Sequence, residues 1–512
     1  MKNKFLQPAF WLFILILGFR TYFALTHISF SQDQARDLFL TEQRILSKDY
    51  LVSHGPKTSI GDFTVFPFYY QLMTFSHLVV DHPLTMYLVV TFLESFTPVV
   101  LYLLLKMIVS KRVAWASSFI YGLSYLSITY GTSAWSPNLV PLFSMITLYS
   151  WMSYLLRDKK NFLTLGVLSL AFALHLHFQT LILVPFAIII FVISVARSVS
   201  NLKYWLWGIF LAFLTFLPYI YGEINSEWSN SINIFQYYTQ EHSLYFDRVS
   251  KIDYIATFFP AFFERFLFGL NIPGLVLGRL IMLVGFIQFY ILIKKSRKKG
   301  WLAIYFLFLL VLLRLFKGDK LDYYLMIFFP LPVIFLALFF EQVKQVALVF
   351  IVAIVFFLGF QYARPQYNDL ALTLHNAQQL ASHLDPNEPI HLIFHDLDLA
   401  NVYLYALSLY SDLNLDIRSK KIVDVCTRPS QCVAATTAQC RYHQITTYSA
   451  LLKWENKVEE TKPTTEHLIT QKNFAVSLTT LDTEIKIFPN ELSGVEERKD
   501  LILSDINSDY TP

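Results

Sequence analysis

From Pro8 to Gln361 the chain alternates long apolar runs with short polar breaks. A run of about 17–25 apolar residues is long enough to cross ~30 Å of hydrocarbon as a helix. Such runs lie near 8–26, 84–105, 113–131, 139–156, 162–178, 181–196, 204–222, 270–293, 301–316, 323–340 and 345–361, about eleven in all. Val65–Val80 is also apolar, but it is short, interrupted by Pro67 and followed by Asp81-His82-Pro83. It predicts a helix lying on or dipping into the outer surface rather than a span. Two long loops, 27–83 and 223–269, separate the runs. From Tyr362 onward the pattern turns mixed polar and charged. There Pro389–Phe394 predicts a short buried strand, Asp398–Leu409 a helix and Ile485–Phe488 a further strand. Roughly 150 residues are enough for one α/β domain.

Composition agrees with this reading. Of 512 residues 55% are hydrophobic, 17% aromatic and only 15% charged, the balance of an integral membrane protein. The basic residues fall into six groups: Lys2/Lys4, Lys106/Lys111/Arg112, Arg157/Lys159/Lys160, Arg197/Lys203, Lys294 to Lys299, and Lys344. With Val65–Val80 kept out of the span count, all six share one side, which the positive-inside rule assigns to the cytoplasm. The first helix, after Met1-Lys2-Asn3-Lys4, reads as uncleaved because its apolar segment is long and no small-x-small site follows. The expected fold is therefore a polytopic α-helical membrane protein of the plasma membrane with a cytoplasmic N-terminus. Residues 1–361 form its transmembrane part and 362–512 an extracytoplasmic α/β domain. Cys426, Cys432 and Cys440 all lie in the tail, with five and seven residues between them. That spacing is unlike a zinc ribbon, and on an external domain it predicts one disulfide and a leftover thiol.

Candidate chemistry concentrates just outside the first span, at Asp33-Gln34-Ala35-Arg36-Asp37. A carboxylate can deprotonate a hydroxyl and a guanidinium can hold a phosphate. The plainer reading is a solvated helix start with an i, i+3 or i+4 ion pair. The same loop holds His54-Gly55-Pro56-Lys57-Thr58-Ser59-Ile60-Gly61-Asp62, a turn-rich stretch with more ionisable groups than a connection needs. Further candidates at outer ends of spans are Asn138, in Trp135-Ser136-Pro137-Asn138, and His177, in His175-Leu176-His177. Glu223 and the basic group Arg314/Lys317/Lys320 complete the set. Two histidines at i, i+2 leave a helix on different sides, so a shared metal is not expected. Within the spans Arg20 and Glu94 have comparable depths, which suits either a buried structural ion pair or a functional pair of charges. The chain carries no Gly-rich phosphate loop, no dinucleotide fingerprint and no HExxH, and nothing in it points to nucleic acid.

An apolar first helix, an outer loop opening with Asp33-Gln34-Ala35-Arg36, the passage Gly55-Pro56 to Pro67-Phe68-Tyr69-Tyr70, and an outer tail together resemble the GT-C glycosyltransferases. Within that class the chain is similar to family 39 protein mannosyltransferases and to aminoarabinose transferase-like enzymes, including those that add sugars to lipopolysaccharide core. Trp135-Ser136-Pro137-Asn138 and Asp322-Tyr323-Tyr324-Leu325 followed by Pro330 add to the resemblance. It implies transfer of a hexosyl or pentosyl sugar from a polyprenyl-phosphate donor to an acceptor hydroxyl of a glycan, lipid or protein on the outer face. By matching position Asp33 is the implied catalytic acid residue and Arg36 a ligand of the donor phosphate. Lys57 and the Arg314/Lys317/Lys320 group are further phosphate candidates. Asp37, His54, Asp62, Asn138, His177, Glu223 and Tyr324 are candidates to line the cavity. The chain departs from the pattern at Gln34, where a second acid is common, and at Val65-Phe66, where some relatives carry Glu-Lys. No cofactor is implied; some relatives use a divalent cation, but no ligand set here predicts one. The alternative class is a lipid or glycan transporter or flippase, whose broken helices would put polar groups at midplane. Here the ionisable groups gather at one surface instead.

Overall fold

The computed structural model describes residues 3–58, 63–239, 254–270, 273–313, 322–343, 346–362 and 369–382. In the tail it further describes 387, 389–394, 402–403, 405–407, 409–410, 414–415, 421–426, 442–445, 456–457, 464–471 and 474–480. The chain forms two compact units, one of Met1–Ile28 with Tyr50–Tyr367 and one of Ser29–Asp49 with Asn368–Pro512.

The first unit is helical. Helix α1 (Asn3–Thr26) is followed, after the excursion into the other unit, by an amphipathic helix Phe68–Val79 that turns Tyr69, Tyr70, Met73, Thr74 and His77 inward. Its 12 residues span about 18 Å, too little to cross a bilayer. Among the described residues six helical segments are long and apolar enough to do so: Gln7–Thr26, Thr85–Leu105, Ser136–Arg157, Phe178–Arg197, Val199–Asn225 and Val276–Lys295. A seventh arises if Asp322–Phe328 and Pro330–Phe340, bent by 44°, are one span. The expected count was about eleven. The difference lies in helix length. The run 113–131 breaks at Ser124, between Lys111–Leu123 and Tyr125–Gly131, and Asn161–Leu176 has only 16 residues, while Gly300–Leu313 and Val346–Tyr362 are described over 14 and 17 residues and adjoin residues outside the described set. Three prolines sit where they cost little: Pro137, Pro141 and Pro185 occupy first turns, whose N–H groups need no helical acceptor, whereas Pro8 and Pro218 lie inside their helices.

Arg20 and Glu94 do meet. Arg20 Nη1 lies 3.9 Å from Glu94 Oε2, and its Nη2 donates to Ser127 Oγ at 2.6 Å. Glu94 accepts from Thr97 Oγ1 at 2.9 Å and from the Leu142 backbone N–H at 3.0 Å. Both side chains are fully buried, so each needs the other's charge and these extra hydrogen bonds.

In the second unit α2 (Gln32–Ser47) precedes the helix Asp369–Ser382 and seven short strands. These are β1 (Pro389–Phe394), β2 (Asn414–Leu415), β3 (Lys421–Cys426), β4 (Tyr442–Ile445), β5 (Asn456–Lys457), β6 (Thr464–Gln471) and β7 (Phe474–Thr480). They follow the order β5-β4-β1-β3-β7-β6, with β2 also on β1. β1 runs parallel to β2 and β3 and antiparallel to β4, so the sheet is mixed. The strand expected at 389–394 is β1. Ile485–Phe488, Cys432 and Cys440 lie outside the described residues, and the helix expected at 398–409 is described only in part, helical at 402–403 and 405–407 and in a turn at Leu409. Two contacts tie α2 to its own unit: Tyr405 Oη donates to Glu42 Oε1 at 3.0 Å, and the Tyr405 ring lies 5.9 Å from that of Phe30. The Asp369 carboxylate accepts the Phe30 backbone N–H.

Candidate functional site

Helix α2 starts as its sequence predicts. Ser31 and Gln34 form a capping box, in which Gln34 Oε1 accepts the Ser31 backbone N–H at 3.0 Å and is also bonded to the Ser31 hydroxyl. Gln34, the residue standing where a second acid is common, is thus committed to holding the helix start. The other end closes on Lys48 in the left-handed region, whose N–H returns to Ile45 at 3.2 Å.

Within this helix Arg36 is shared by two carboxylates. Its Nη1 lies 3.0 Å from Asp33 Oδ1, one turn back, while Nε and Nη2 donate to Asp37 Oδ1 at 3.0 and 2.8 Å. The environments differ sharply: the Asp33 side chain is 42% exposed, Arg36 20% and Asp37 1%. Asp37 Oδ2 is buried without a hydrogen-bond partner. Burial pushes the Asp37 carboxyl up to about 6, with Arg36 pulling it down and Asp33 adding to the rise. The sequence offered Asp37 only as a candidate to line the cavity; its burial makes it the more tightly held of the two.

A second constellation lies in the first unit. His54 Nε2 is 3.0 Å from Glu223 Oε1, and the other Glu223 oxygen accepts the Ser231 backbone N–H at 2.8 Å. The Asn230 side chain bonds the Thr64 backbone, accepting its N–H at 2.6 Å, and donates to Tyr219 Oη at 3.1 Å. Tyr219 Oη in turn meets Ser231 Oγ at 3.0 Å. Gly222 permits this closeness, since a Cβ there would fall 2.7 Å from His54 Nδ1. From the His54 anchor the chain runs into a hairpin-like turn, with Gly55 N–H on Val65 O at 2.8 Å and Val65 N–H on Pro56 O at 3.1 Å. Lys57 projects from this turn, exposed, opposite Thr64.

The third constellation joins His177 and Tyr324, whose ring centroids are 5.4 Å apart, with the Tyr323 ring tilted against that of Tyr324 at 4.2 Å. His177 also accepts the Gln179 backbone N–H at 3.1 Å, and Gln179 donates to the Tyr323 carbonyl at 3.1 Å. Asp322, one residue before Tyr323, takes a forked bond from Arg265, with Nε to Oδ2 at 2.8 Å and Nη2 to Oδ1 at 2.6 Å. Phe178 connects this group to the second, packing 5.2 Å from Phe63 and 5.3 Å from Phe66.

Arg265 was passed over in the sequence, where it sat inside the aromatic-rich loop 223–269. The signal was present: Glu264-Arg265 interrupts an otherwise apolar Phe259–Phe268, a setting in which a charge needs a partner. Asn138, by contrast, turns back on its own loop, its amide donating to Ser133 O at 2.7 Å. Asp62, Arg314, Lys317 and Lys320 lie outside the described residues. Among the described residues no three His, Cys, Asp or Glu side chains form a group able to hold a metal ion.

Residues 65–221 match the family model described as dolichyl-phosphate-mannose-protein mannosyltransferase. No curated protein matches the chain by sequence. Among solved structures, ArnT from Cupriavidus metallidurans bound to undecaprenyl phosphate is similar with a TM-score of 0.55 and 12% identity, over 93% of this chain and 97% of that one. The same enzyme in the apo state gives a TM-score of 0.54 at 12% identity, over 91% and 97%. The chain thus has the fold of a GT-C glycosyltransferase, and its residues 65–221 carry the sequence pattern of a mannosyltransferase family of that class.

Proposed function

We propose that this protein transfers a sugar from a polyprenyl-phosphate donor to an acceptor hydroxyl on the outer face of the membrane. The observation that carries the reading is the α2 constellation, a half-exposed carboxylate beside a guanidinium that a buried carboxylate holds in place. In this reading Asp33 takes the proton of the acceptor hydroxyl as the new bond from that oxygen to the sugar anomeric carbon forms. The bond from that carbon to the phosphate oxygen breaks, and the polyprenyl phosphate leaves with the electron pair. Charge grows on the phosphate during transfer, so Arg36 stabilises the transition state more than the bound donor. Lys57 and the Arg314/Lys317/Lys320 group are the other candidate phosphate cations offered by the sequence. The bound undecaprenyl phosphate of ArnT, a protein of the same fold, supports a lipid phosphate as the donor's carrier. We assign the N-terminus to the cytoplasm, and the second unit to the outer face as an α/β domain.

The test is Asp33→Asn, nearly isosteric but unable to act as the same base. With expression matched, transfer from a membrane-embedded lipid-phosphate sugar should fall by ~10²–10⁴-fold while insertion and folding are unchanged. Full activity in this variant would remove the base assignment, and vectorial lipid movement without sugar transfer in the wild type would replace the enzyme reading with a flippase.

A further inference from the structure

The two ion pairs on Arg36 are unequal, and the inequality has a direction. Asp37 holds two guanidinium N–H groups on one oxygen and is buried to 1% exposure. Asp33 holds Nη1 alone, across an i, i+3 step, with its side chain 42% exposed. Exposed helix pairs of this kind contribute little to stability. Breaking a buried pair by losing one partner is strongly unfavourable, because a charge is left uncompensated. A structural ion pair needs one carboxylate per guanidinium; here there are two, and the surplus one faces solvent.

We infer that Asp37 is the fixed anchor of Arg36 and Asp33 its exchangeable partner, displaced from Nη1 by the phosphate of the lipid-linked donor. The inference rests on the reading of α2 given under Proposed function. Arg36 keeps its position through Nε and Nη2 on Asp37 while Nη1 turns to the phosphate. A phosphate oxygen on a guanidinium is a charge-assisted bond of the strong class, so the exchange runs downhill from an exposed pair. Asp33, no longer neutralised by Arg36, is released as a better proton acceptor when donor is present and only then. The base is therefore masked in the empty protein and unmasked by the substrate. After transfer the departing polyprenyl phosphate carries more charge than the donor diester and keeps Arg36 until it leaves; Asp33 then returns its proton to water and closes back on Nη1. In this account Asp37 is a positioning residue that touches no substrate.

The full-length protein in lipid nanodiscs, titrated with undecaprenyl phosphate as the probe and assayed in parallel for transfer, tests the inference. Asp33→Asn removes the competitor for Nη1, so it should bind the probe several-fold more tightly than wild type while losing transfer. Asp37→Asn should bind at least ~10-fold more weakly, and Asp37→Glu, which keeps the charge, should recover part of that loss. Size-exclusion profiles and melting curves identify any variant that is misfolded rather than weakened, and Asp37→Glu carries the comparison if Asp37→Asn is one of these. Equal weakening in Asp33→Asn and Asp37→Asn would overturn the division of roles, as would wild-type affinity in Asp37→Asn. Absence of probe binding and of transfer in the wild type would instead overturn the proposed function, and this inference with it.

Discussion

At His54–Glu223 both carboxylate oxygens are engaged and neither side chain reaches solvent; at Asp33–Arg36–Asp37 two carboxylates divide one guanidinium and one of them is half-exposed. The first arrangement matches donors to acceptors and holds a turn in place. The second carries one negative charge too many on the side that faces water. A saturated, sealed pair is what a scaffold needs, since any change in it is costly. An unsaturated, half-exposed one can exchange partners at small cost. Both were candidate positions in the sequence, and only their surroundings separate scaffold from chemistry.

The largest effect is expected at Glu223. Glu223→Ala leaves His54 and the Ser231 N–H without their acceptor and should destabilise the first unit by about 1–3 kcal/mol, read as a lowered melting temperature in detergent. Glu223→Gln keeps an acceptor for the Ser231 N–H and should stay within about 1 kcal/mol of wild type. If the two variants melt alike, the pair is not the scaffold it is taken for. A smaller effect is expected at Tyr405→Phe, which removes one hydrogen bond to Glu42 and keeps the ring on Phe30. A loss of about 0.5–1.5 kcal/mol should speed hydrogen exchange of the 32–47 amides by roughly two- to twelve-fold, and unchanged exchange would detach α2 from that contact.

The smallest effect is on pH. The Asp37 carboxyl, raised to about 6 by burial, is ionised above that value and neutral below it. Of its charged neighbours Arg36 lowers it and Asp33 raises it. Affinity for a lipid phosphate should therefore fall a few-fold as pH drops through about 6. In Asp33→Asn that fall should move to lower pH, because the neighbour that raised the carboxyl is gone. For stability the sign is reversed. The native state keeps this proton up to about 6 and the unfolded chain only to 3.8, so the group's contribution is complete below 3.8 and lost as pH rises through about 6. A binding profile flat from pH 5 to 7.5 would contradict the anchor.

Much of this was legible in the sequence because it is local. The Asp33–Arg36 pair is an i, i+3 relation, the capping box is Ser31-x-x-Gln34, and the short helix at 68–79 follows Pro67. The Arg20–Glu94 pair was legible from depth alone, since a bilayer allows few other solutions. What hydropathy could not carry is the choice of partner across the chain. Arg265 finds Asp322 57 residues later, and His54 finds Glu223 169 residues later. Nor does an apolar run reveal where it will break: Ser124 divides the third run, and Asn161–Leu176 stops at 16 residues.

One consequence concerns the order in which the protein is made. The segment Ser29–Asp49 leaves the ribosome with the first helix, yet it clusters with residues from Asn368 onward. Tyr405 reaches Glu42 across 363 positions of sequence. At about 5–20 residues per second that is a wait of roughly 20–70 s, during which α2 has none of its tail contacts. The helix bearing the proposed base therefore acquires these supports only after 363 further residues have been made. A nascent chain that stops short of Tyr405 would display the motif without this contact, so synthesis through the tail precedes assembly of the unit that holds α2.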